Sequence, residues 1–368
     1  MPDWDPATYC ERLASLLAGC LLCASWLFSV HVRSRPGLSR LAAALPVVAF
    51  NCGAPLLFRR VASSAGAGTA EDSEIVTIVL AWAANRGPLA ADQWNMAPFA
   101  AIQLAPISPM EGAEARAHGR GGRQSEHAGG AGSMAAAFVA KAALTVVGLG
   151  LVRLQPPQLV LEFLYTIGLY AILSFAMDGM QVSPHFDSPW SSTSLADFWS
   201  RRWDLAAGNT LRQLVYEPVL EGRLVRTAAP PLRATRGAAA SAAKRHRRRR
   251  LVGSASCFLV SAAMHELQFW YMTGRHSGGL MLAFFLAQVP LLSGERQLGG
   301  VLRRRGLQPP APVRAAATLG TLLLLSHWTF WLACNRHGVT AASLASVKGS
   351  VAAGRQLAAA WLAWLGAR

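Results

Sequence analysis

The sequence predicts an all-α polytopic membrane protein with about seven to nine transmembrane helices. Three observations predict this class. Of the 368 residues 52% are hydrophobic, the apolar residues come in long blocks, and arginines fall between the blocks in a chain with a formal net charge of +16. A nucleic-acid-binding protein would instead spread its basic residues over a folded polar surface. We therefore expect a membrane protein with no nucleic-acid partner.

The apolar blocks predict the individual spans, since a transmembrane helix needs roughly 20 residues. The N-terminal stretch MPDWDPATYCER is acidic-leaning and lacks the positive start of a secretory signal, so the first block is expected to remain a span. Weaker candidates lie at 75–85, 97–109 and 341–366. The seven firm candidates lie at about 13–32, 41–58, 134–152, 158–180, 251–273, 279–293 and 313–334.

Two polar regions separate the spans. Residues 110–133 are a low-complexity stretch rich in Gly and Ala, which is typical of a disordered loop. Residues 181–250 are expected to form a cytosolic loop, as are the basic stretches 33–40 and 294–312. The run KRHRRRR at 244–250 adjoins the span that starts at Leu251. This position favours a juxtamembrane contact with anionic lipid headgroups over a nuclear signal.

The segment SLADFWSRRWDLAAGNTLRQLVYEPV begins with Ser194 and Asp197, a spacing typical of a helix N-cap. It predicts an amphipathic helix near 194–214 that lies in the membrane interface. The paired guanidiniums of Arg201 and Arg202 suit lipid phosphate, or the phosphates of a soluble cofactor that carries an apolar tail. The expected polar stripe is Asp197, Ser200, Arg201 and Asp204, and the expected apolar side is Leu195, Phe198, Trp199 and Trp203.

The span 251–273 carries a histidine and a carboxylate side by side. His265 lies fourteen residues after Leu251, which is about 21 Å along a helix and deep in a core about 30 Å thick. Ionisable residues at this depth face a cavity or partners and by default indicate a functional site. Ser261, one turn earlier, is placed to orient the ring. Glu266 points about 100° away, toward a neighbouring helix.

The motifs exclude a metal site. HELQF is not the HExxH of a zinc peptidase, because Phe269 stands where the second histidine is needed. Cys20 and Cys23 form a CxxC inside an apolar run, without a second pair or a nearby histidine. We expect no bound metal and no bound cofactor.

Two of these stretches resemble a membrane-bound O-acyltransferase of the plant-type wax synthase branch. SLADFWSRRWDLAAGNTLRQLVYEPV is similar to the family segment SLxDFWGRRWN, which ends in a similar VYxPV. FLVSAAMHELQFWY is similar to the family helix FLVSGLMHE, and WAANRGPL at 82–89 is a fainter match. The two stronger matches cover about 60 residues, in the family's order.

The resemblance implies a single membrane-bound domain over 1–368, with helices around an intramembrane tunnel in the endoplasmic reticulum. It implies transfer of a fatty acyl group from acyl-CoA, as co-substrate, to a long-chain alcohol, giving a wax ester. His265 matches the family's catalytic base, and Asp204 stands at the family's asparagine. Ser261 and Glu266 would support the site, and the expected acyl-CoA-binding residues are Phe198, Trp199, Arg201, Arg202 and Trp203.

Asp204 departs from the family pattern in a way that bears on chemistry. Asparagine offers an NH₂ donor, whereas an ionised aspartate only accepts. The role of the asparagine donor is filled either by protonated Asp204 or by a changed hydrogen-bond network, or else activity is reduced. Arg201, one turn earlier, is placed to pair with Asp204. The pair Ser261-Ala262 replaces the family's SG, but related sterol and diacylglycerol acyltransferases carry SA at this place.

Two alternatives remain open. The same fold accommodates a sterol, a terpenoid or diacylglycerol as the acceptor. A transporter or a catalytically silent scaffold also suits an intramembrane His–Glu pair, which can relay protons. The sequence contains no recognisable inverted repeat of interrupted spans, which counts against a transporter. Oligomeric state is not indicated by any pattern.

Overall fold

A computed structural model describes residues 6–57, 69–90, 95–104, 157–162, 185–226 and 239–343, with isolated helical positions at 147, 164, 345, 349, 356 and 359. Every regular element within these residues is helical, as the sequence predicts. The predicted loop 110–133 and the predicted span 134–152 lie outside the described residues, apart from Val147. Most of the predicted spans 158–180 and 341–366 lie outside them as well.

The N-terminal part consists of four helices, α1 (Pro6–Arg33), α2 (Leu38–Leu57), α3 (Thr69–Ala83) and α4 (Met96–Leu104). Their shared core centres on Trp82, which is fully buried with Leu27, Val47 and Phe99. The Trp82 indole donates to Nδ1 of His31 at 3.0 Å. The guanidinium of Arg40 lies 5.2 Å from the centre of the same ring. This core holds the end of α3 in place.

The amphipathic helix expected near 194–214 is divided in two. Helix α5 (Leu195–Arg201) ends at Arg202, and α6 (Leu205–Leu211) begins after Asp204. Asp204 has φ 43° and ψ 64°, a left-handed conformation that a continuous α-helix does not contain. The predicted stripe is therefore wrong beyond Arg201: Asp204 does not continue the face of Asp197, and Asp197 itself is buried.

Helix α6 continues through a π-turn over Arg212–Tyr216 into α7 (Glu217–Glu221). The C-terminal part contains α8 (Ala239–Thr273), α9 (Leu280–Arg304) and α10 (Ala311–Ser326). A second π-turn over His327–Trp331 joins α10 to α11 (Leu332–Arg336). The basic run 244–250, predicted as part of a loop, is instead helical and continuous with the span that follows it.

Within the described residues, three helices are long and apolar enough to cross a membrane, Glu11–Arg33, Leu38–Leu56 and Ala311–Arg336. They correspond to the predicted spans 13–32, 41–58 and 313–334. The predicted spans 251–273 and 279–293 fall on α8 and α9, and the weaker candidates 75–85 and 97–109 fall on α3 and α4. The total of seven to nine spans stays a prediction.

Helix α8 lies at the centre of the C-terminal half. It packs along α9 and also contacts the first π-turn. The contact with the π-turn is close: a Cβ added at Gly253 would lie 2.8 Å from the Tyr216 ring. Glycine at this position therefore allows the two backbones to approach, which brings the segment 185–221 against the helix that carries His265.

Candidate active site

His265 lies on α8 with its ring between aromatic side chains of two other elements. The ring centres of His265 and Phe285 on α9 are 4.2 Å apart, and Phe330 of the second π-turn lies 6.2 Å away. Ala262, one turn earlier on α8, is fully buried in the same cluster. The half-buried imidazole thus lies against apolar rings, which reduce the competition of water for its hydrogen bonds.

One hydrogen bond sets the protonation pattern of the ring. Nδ1 of His265 lies 2.8 Å from the backbone carbonyl oxygen of Ser261. A carbonyl oxygen only accepts, so Nδ1 carries the proton and Nε2 of the neutral ring is the acceptor nitrogen. The expectation that Ser261 orients the ring is met by its backbone rather than by its hydroxyl group.

Glu266 makes its contacts away from the imidazole. Its carboxylate accepts from the Ser277 backbone N–H at 2.6 Å and from the Ser277 hydroxyl at 2.5 Å. The Ser277 hydroxyl in turn accepts from the N–H of Met281 in the first turn of α9. Glu266 therefore ties α8 to the start of α9, as its direction on the helix predicts.

Trp199 brings α5 to the histidine through a shared neighbour. Its ring centre lies 6.2 Å from Phe285, the same ring that contacts His265. Its indole N–H donates to Oε1 of Gln288 at 3.0 Å, and Gln288 is fully buried on α9. Trp199 and His265 thus share Phe285 as a neighbour, and the predicted contact of Trp199 with acyl-CoA stays a prediction.

The two arginines beside Trp199 do not act as an equal pair. Nε of Arg202 lies 2.8 Å from Oδ2 of Asp197, and its Nη1 donates to the Ser191 hydroxyl at 2.7 Å. Nε of Arg201 lies 3.2 Å from Oδ1 of Asp197, and 75% of the Arg201 side chain is exposed. Arg201 therefore pairs with Asp197 rather than with Asp204. Arg202 serves the fold, whereas Arg201 keeps donors directed toward solvent.

Phe198 and Trp203 form the inner side of the same turn. Their rings are stacked at 5.3 Å, and Phe186 packs edge-on against Trp203 at 4.9 Å. Phe198 is buried among these rings, and its predicted contact with acyl-CoA stays a prediction. This stack fixes the end of α5 immediately before Asp204.

Asp204 caps α6 from its left-handed backbone. Its Oδ1 accepts from the Ala207 N–H at 3.3 Å, and the next N–H, that of Leu205, donates to the His185 carbonyl at 2.8 Å. Burial raises the pKa of the Asp204 carboxyl, against the opposing effects of the Ala207 N–H and of nearby His185. Asparagine and aspartate are among the residues that best tolerate this backbone and this cap. The local geometry therefore accepts either residue at this position.

Two polar residues of α9 belong to the site but were not predicted. The Gln288 side chain accepts a hydrogen bond from the Trp199 indole N–H. The Glu295 carboxylate accepts from the Leu195 N–H at 2.8 Å and so caps the start of α5. They lie seven residues apart and therefore on one face of α9. The position of Gln288 inside the apolar stretch 279–293 was the available signal for that residue, whereas Glu295 lies in the predicted basic stretch 294–312, where a carboxylate carries no such signal. Together they align α5 with α9.

The comparisons with known proteins match the part of the chain that contains these residues. Residues 182–287, which include His265 and Asp204, match the model of the membrane bound O-acyl transferase family. Acyl-CoA--sterol O-acyltransferase 1 of Arabidopsis thaliana is 28% identical over 51% of this chain and 52% of that protein. The long-chain-alcohol O-fatty-acyltransferase of Simmondsia chinensis is 29% identical over 51% of each chain.

A longer alignment also exists. Probable long-chain-alcohol O-fatty-acyltransferase 3 of Arabidopsis thaliana is 25% identical over 87% of this chain and 89% of that protein. The first two relatives are matched over about half of their length. No solved structure matches the chain. The family match over the histidine helix and these relatives show that the chain is similar to membrane bound O-acyl transferases, among them long-chain-alcohol O-fatty-acyltransferases.

Proposed function

We propose that the chain is an acyl-CoA-dependent O-acyltransferase that joins a fatty acyl group to a long-chain alcohol, with His265 as the general base. The observation that carries the proposal is the hydrogen bond from Nδ1 of His265 to the Ser261 carbonyl. It leaves Nε2 as the acceptor nitrogen beside the rings of Phe285 and Phe330, and an unprotonated ring nitrogen is what a general base needs at neutral pH. The resemblance and the named relatives supply the reaction class.

The reaction balances without a metal or a covalent enzyme intermediate. Nε2 of His265 takes the proton from the hydroxyl group of the alcohol as its oxygen attacks the thioester carbonyl carbon. The C–O ester bond forms and the C–S bond breaks. The proton then passes from the imidazolium to the departing CoA thiolate, so the products are an ester and free CoA, and the ring returns to its neutral form.

Acyl-CoA is proposed to approach from the cytosolic side of α5. Arg201 offers donors to its phosphates, and Trp199 offers an apolar face next to Phe285 for the start of the acyl chain. The alcohol would arrive through the bilayer and meet the thioester at His265. In this scheme Asp204 holds the break between α5 and α6 that turns Trp199 toward the histidine.

We further propose a multi-pass location in the endoplasmic reticulum membrane. The run 245–250 on α8 is exposed, and the next two residues, Leu251 and Val252, are exposed apolar side chains. This change from basic to apolar surface is typical of a helix that enters a bilayer at the level of the lipid headgroups. Fluorescence microscopy of a tagged full chain beside a reticulum marker tests the location.

The acceptor has a second candidate. The match to an enzyme named acyl-CoA--sterol O-acyltransferase supports a sterol as the alcohol on the same scheme. Microsomes that contain the full chain should be given labelled palmitoyl-CoA with hexadecanol, a sterol or diacylglycerol. We expect the highest transfer to hexadecanol and its loss in His265→Ala at equal protein level. Undiminished transfer in that variant would contradict the base, and higher transfer to the sterol would favour the second acceptor.

A further inference from the structure

The described residues contain a carboxyl–imidazole pair at a distance from His265 in the sequence. Oε2 of Glu162 lies 2.7 Å from Nδ1 of His327, and the Glu162 side chain is 1% exposed. Two amides also donate to Glu162, Nδ2 of Asn335 at 3.1 Å and Nε2 of Gln158 at 3.2 Å. A buried carboxyl group held by three donors in a membrane protein is costly unless it has a task, and packing alone is served by apolar residues.

The pair joins two separate parts of the chain. Glu162 belongs to the short helical stretch 158–162, whereas His327 and Asn335 lie at either end of the helical run that closes α10. The Asn335 amide is itself oriented, because its Oδ1 accepts from the Thr340 hydroxyl at 2.6 Å. Glu162 therefore holds both ends of this run at once, and it resists any rotation of the turns between them.

The run that the pair holds begins with the second π-turn. His327 is the first residue of that turn, and Phe330 lies three residues later. A π-turn contains one residue more than an α-turn needs, so residues beyond it are rotated by about 100° relative to a regular helix. Such turns are found frequently at functional sites. The position of Phe330 thus depends on whether this turn is held open.

Phe330 is also part of the wall around the proposed base. Its ring centre lies 6.2 Å from that of His265 at an angle of 69°, and 5.8 Å from that of Phe284. A return of the turn to regular α-helix would move Phe330 out of this arrangement. The imidazole would then gain freedom about its χ angles, and its Nε2 would no longer be aimed at one place.

We propose that Glu162 and His327 are positioning residues that act on His265 through the π-turn and Phe330. The inference rests on the proposed function and adds to it a determinant outside the matched family segment. The pair touches neither substrate in this scheme. It keeps Phe330 beside the His265 ring, so loss of the pair should slow the chemical step and leave the binding of acyl-CoA largely unchanged.

The test uses the full chain, with labelled palmitoyl-CoA and hexadecanol as probes. Glu162→Gln and His327→Phe should each lower kcat about tenfold or more, with KM for palmitoyl-CoA within about twofold of the parent. The double variant should lose no more than the worse single variant, because the two residues act as one unit. Leu324→Ala, an exposed position in the preceding turn of the same helix, should keep the parent kcat.

A second variant covers the case in which the polar variants fail to fold. Phe330→Leu leaves the pair intact and keeps the site apolar, and it should show the same fall in kcat. Parental kcat in Phe330→Leu, or additive losses in the double variant, would overturn the proposal. Modification of His265 by diethyl pyrocarbonate, followed by mass spectrometry, needs no activity. The rate of this modification should change in Phe330→Leu but not in Leu324→Ala. If the parent chain transferred no acyl group while this difference persisted, the proposed function would be contradicted and the positioning role would stand.

Discussion

Arg86 and Glu221 form an ion pair, partly exposed on the side of Glu221, between the two segments that the family resemblance linked only by pattern. Nη2 of Arg86 lies 2.7 Å from Oε2 of Glu221, and the Arg86 side chain is completely buried. Arg86 also pairs with Glu217 at 3.2 Å and donates to the Leu224 carbonyl at 2.9 Å. The stretch WAANRGPL is therefore fastened to VYEPV and the residues after it, and through them to α8.

Replacing Arg86 with methionine should destabilise the fold more than replacing an exposed arginine of the same cluster. The change removes the hydrogen bonds that the buried guanidinium of Arg86 donates to Glu217 and Glu221, and a hydrogen bond to a charged group contributes about 1.5–3 kcal/mol. We expect a clearly lower midpoint of thermal unfolding for Arg86→Met in detergent. Arg212→Gln, which removes a pair between Glu217 and a 68% exposed side chain, should change it little. Equal midpoints for the two variants would contradict this account.

The same pair predicts a dependence of stability on pH. Its hydrogen bond from Arg86 holds the pKa of Glu221 below its usual value. Because the folded-state pKa is the lower one, this stabilisation is complete above the unfolded-state value of about 4.3 and is lost as the pH falls through the folded-state value. The midpoint of thermal unfolding should fall on acidification below about pH 4.5. In Glu221→Gln that fall should be smaller, and an identical pH profile would exclude the pair as its source.

Asp204→Asn should stabilise the protein at neutral pH. Burial raises the pKa of Asp204, so the folded protein binds the carboxyl proton more tightly than the unfolded chain does. The folded state therefore loses stability as the pH rises from the unfolded-state pKa toward the folded-state pKa. Asparagine keeps the left-handed backbone and the cap to Ala207 without a charge to bury. Asp204→Ala should lower the unfolding midpoint, because alanine lacks the cap to Ala207 and tolerates the left-handed backbone poorly, at a cost of about 1–2 kcal/mol.

Acyl transfer separates the two roles open to Asp204. Equal or higher kcat in Asp204→Asn, measured with palmitoyl-CoA and hexadecanol, is the expected outcome for a residue that shapes the turn. A large fall in kcat with an unchanged unfolding midpoint would show instead that the carboxyl group takes part in the reaction.

Ser261→Ala should leave acyl transfer almost unchanged. The group that orients His265 is the backbone carbonyl of residue 261, which alanine also provides in a helix. We expect kcat and KM within about twofold of the parent, since no transition-state contact is removed. A loss of tenfold or more would mean that the hydroxyl group contacts a substrate.

Arg201→Gln and Arg202→Gln should have different effects. Arg201 is 75% exposed, and its loss should raise KM for palmitoyl-CoA with little change in the unfolding midpoint. Arg202 joins Asp197 to Ser191 and to two backbone carbonyls, so its loss should lower the midpoint. Stability assays and acyl-CoA titrations of both variants, with the parent as reference, distinguish these outcomes. The reverse assignment would contradict the geometry of the Asp197 cluster.

Local interactions were predictable from the sequence. The Ser194 hydroxyl accepts from the Asp197 N–H at 2.9 Å, as the spacing of these residues predicts. The direction of Glu266 followed from its position one residue after His265 on a helix. In both cases the partners lie within a few residues or follow from the 3.6-residue period alone, so composition and spacing contain the necessary information.

The break at Asp204 was not predictable from the same patterns. In the sequence the polar spacing of a helical stripe continues through Arg201 to Asp204, and no residue between them is a helix breaker. The turn forms because the Leu205 N–H reaches the His185 carbonyl and because Trp203 stacks on Phe198. These contacts replace helical hydrogen bonds with tertiary ones, which intrinsic propensity does not include.

The sequence by itself determined the helical membrane class, and it predicts both a deep position for His265 in a span and the kind of chemistry that such a residue supports. These follow from the length and polarity of segments, which are properties of the chain alone. Only the tertiary structure decided that a backbone carbonyl sets the tautomer of His265, that Asp197 pairs with both arginines, and that the rings of Phe285 and Phe330 lie beside His265. Each of these depends on side chains brought together by packing between helices, and packing is specified by the whole fold rather than by any one segment.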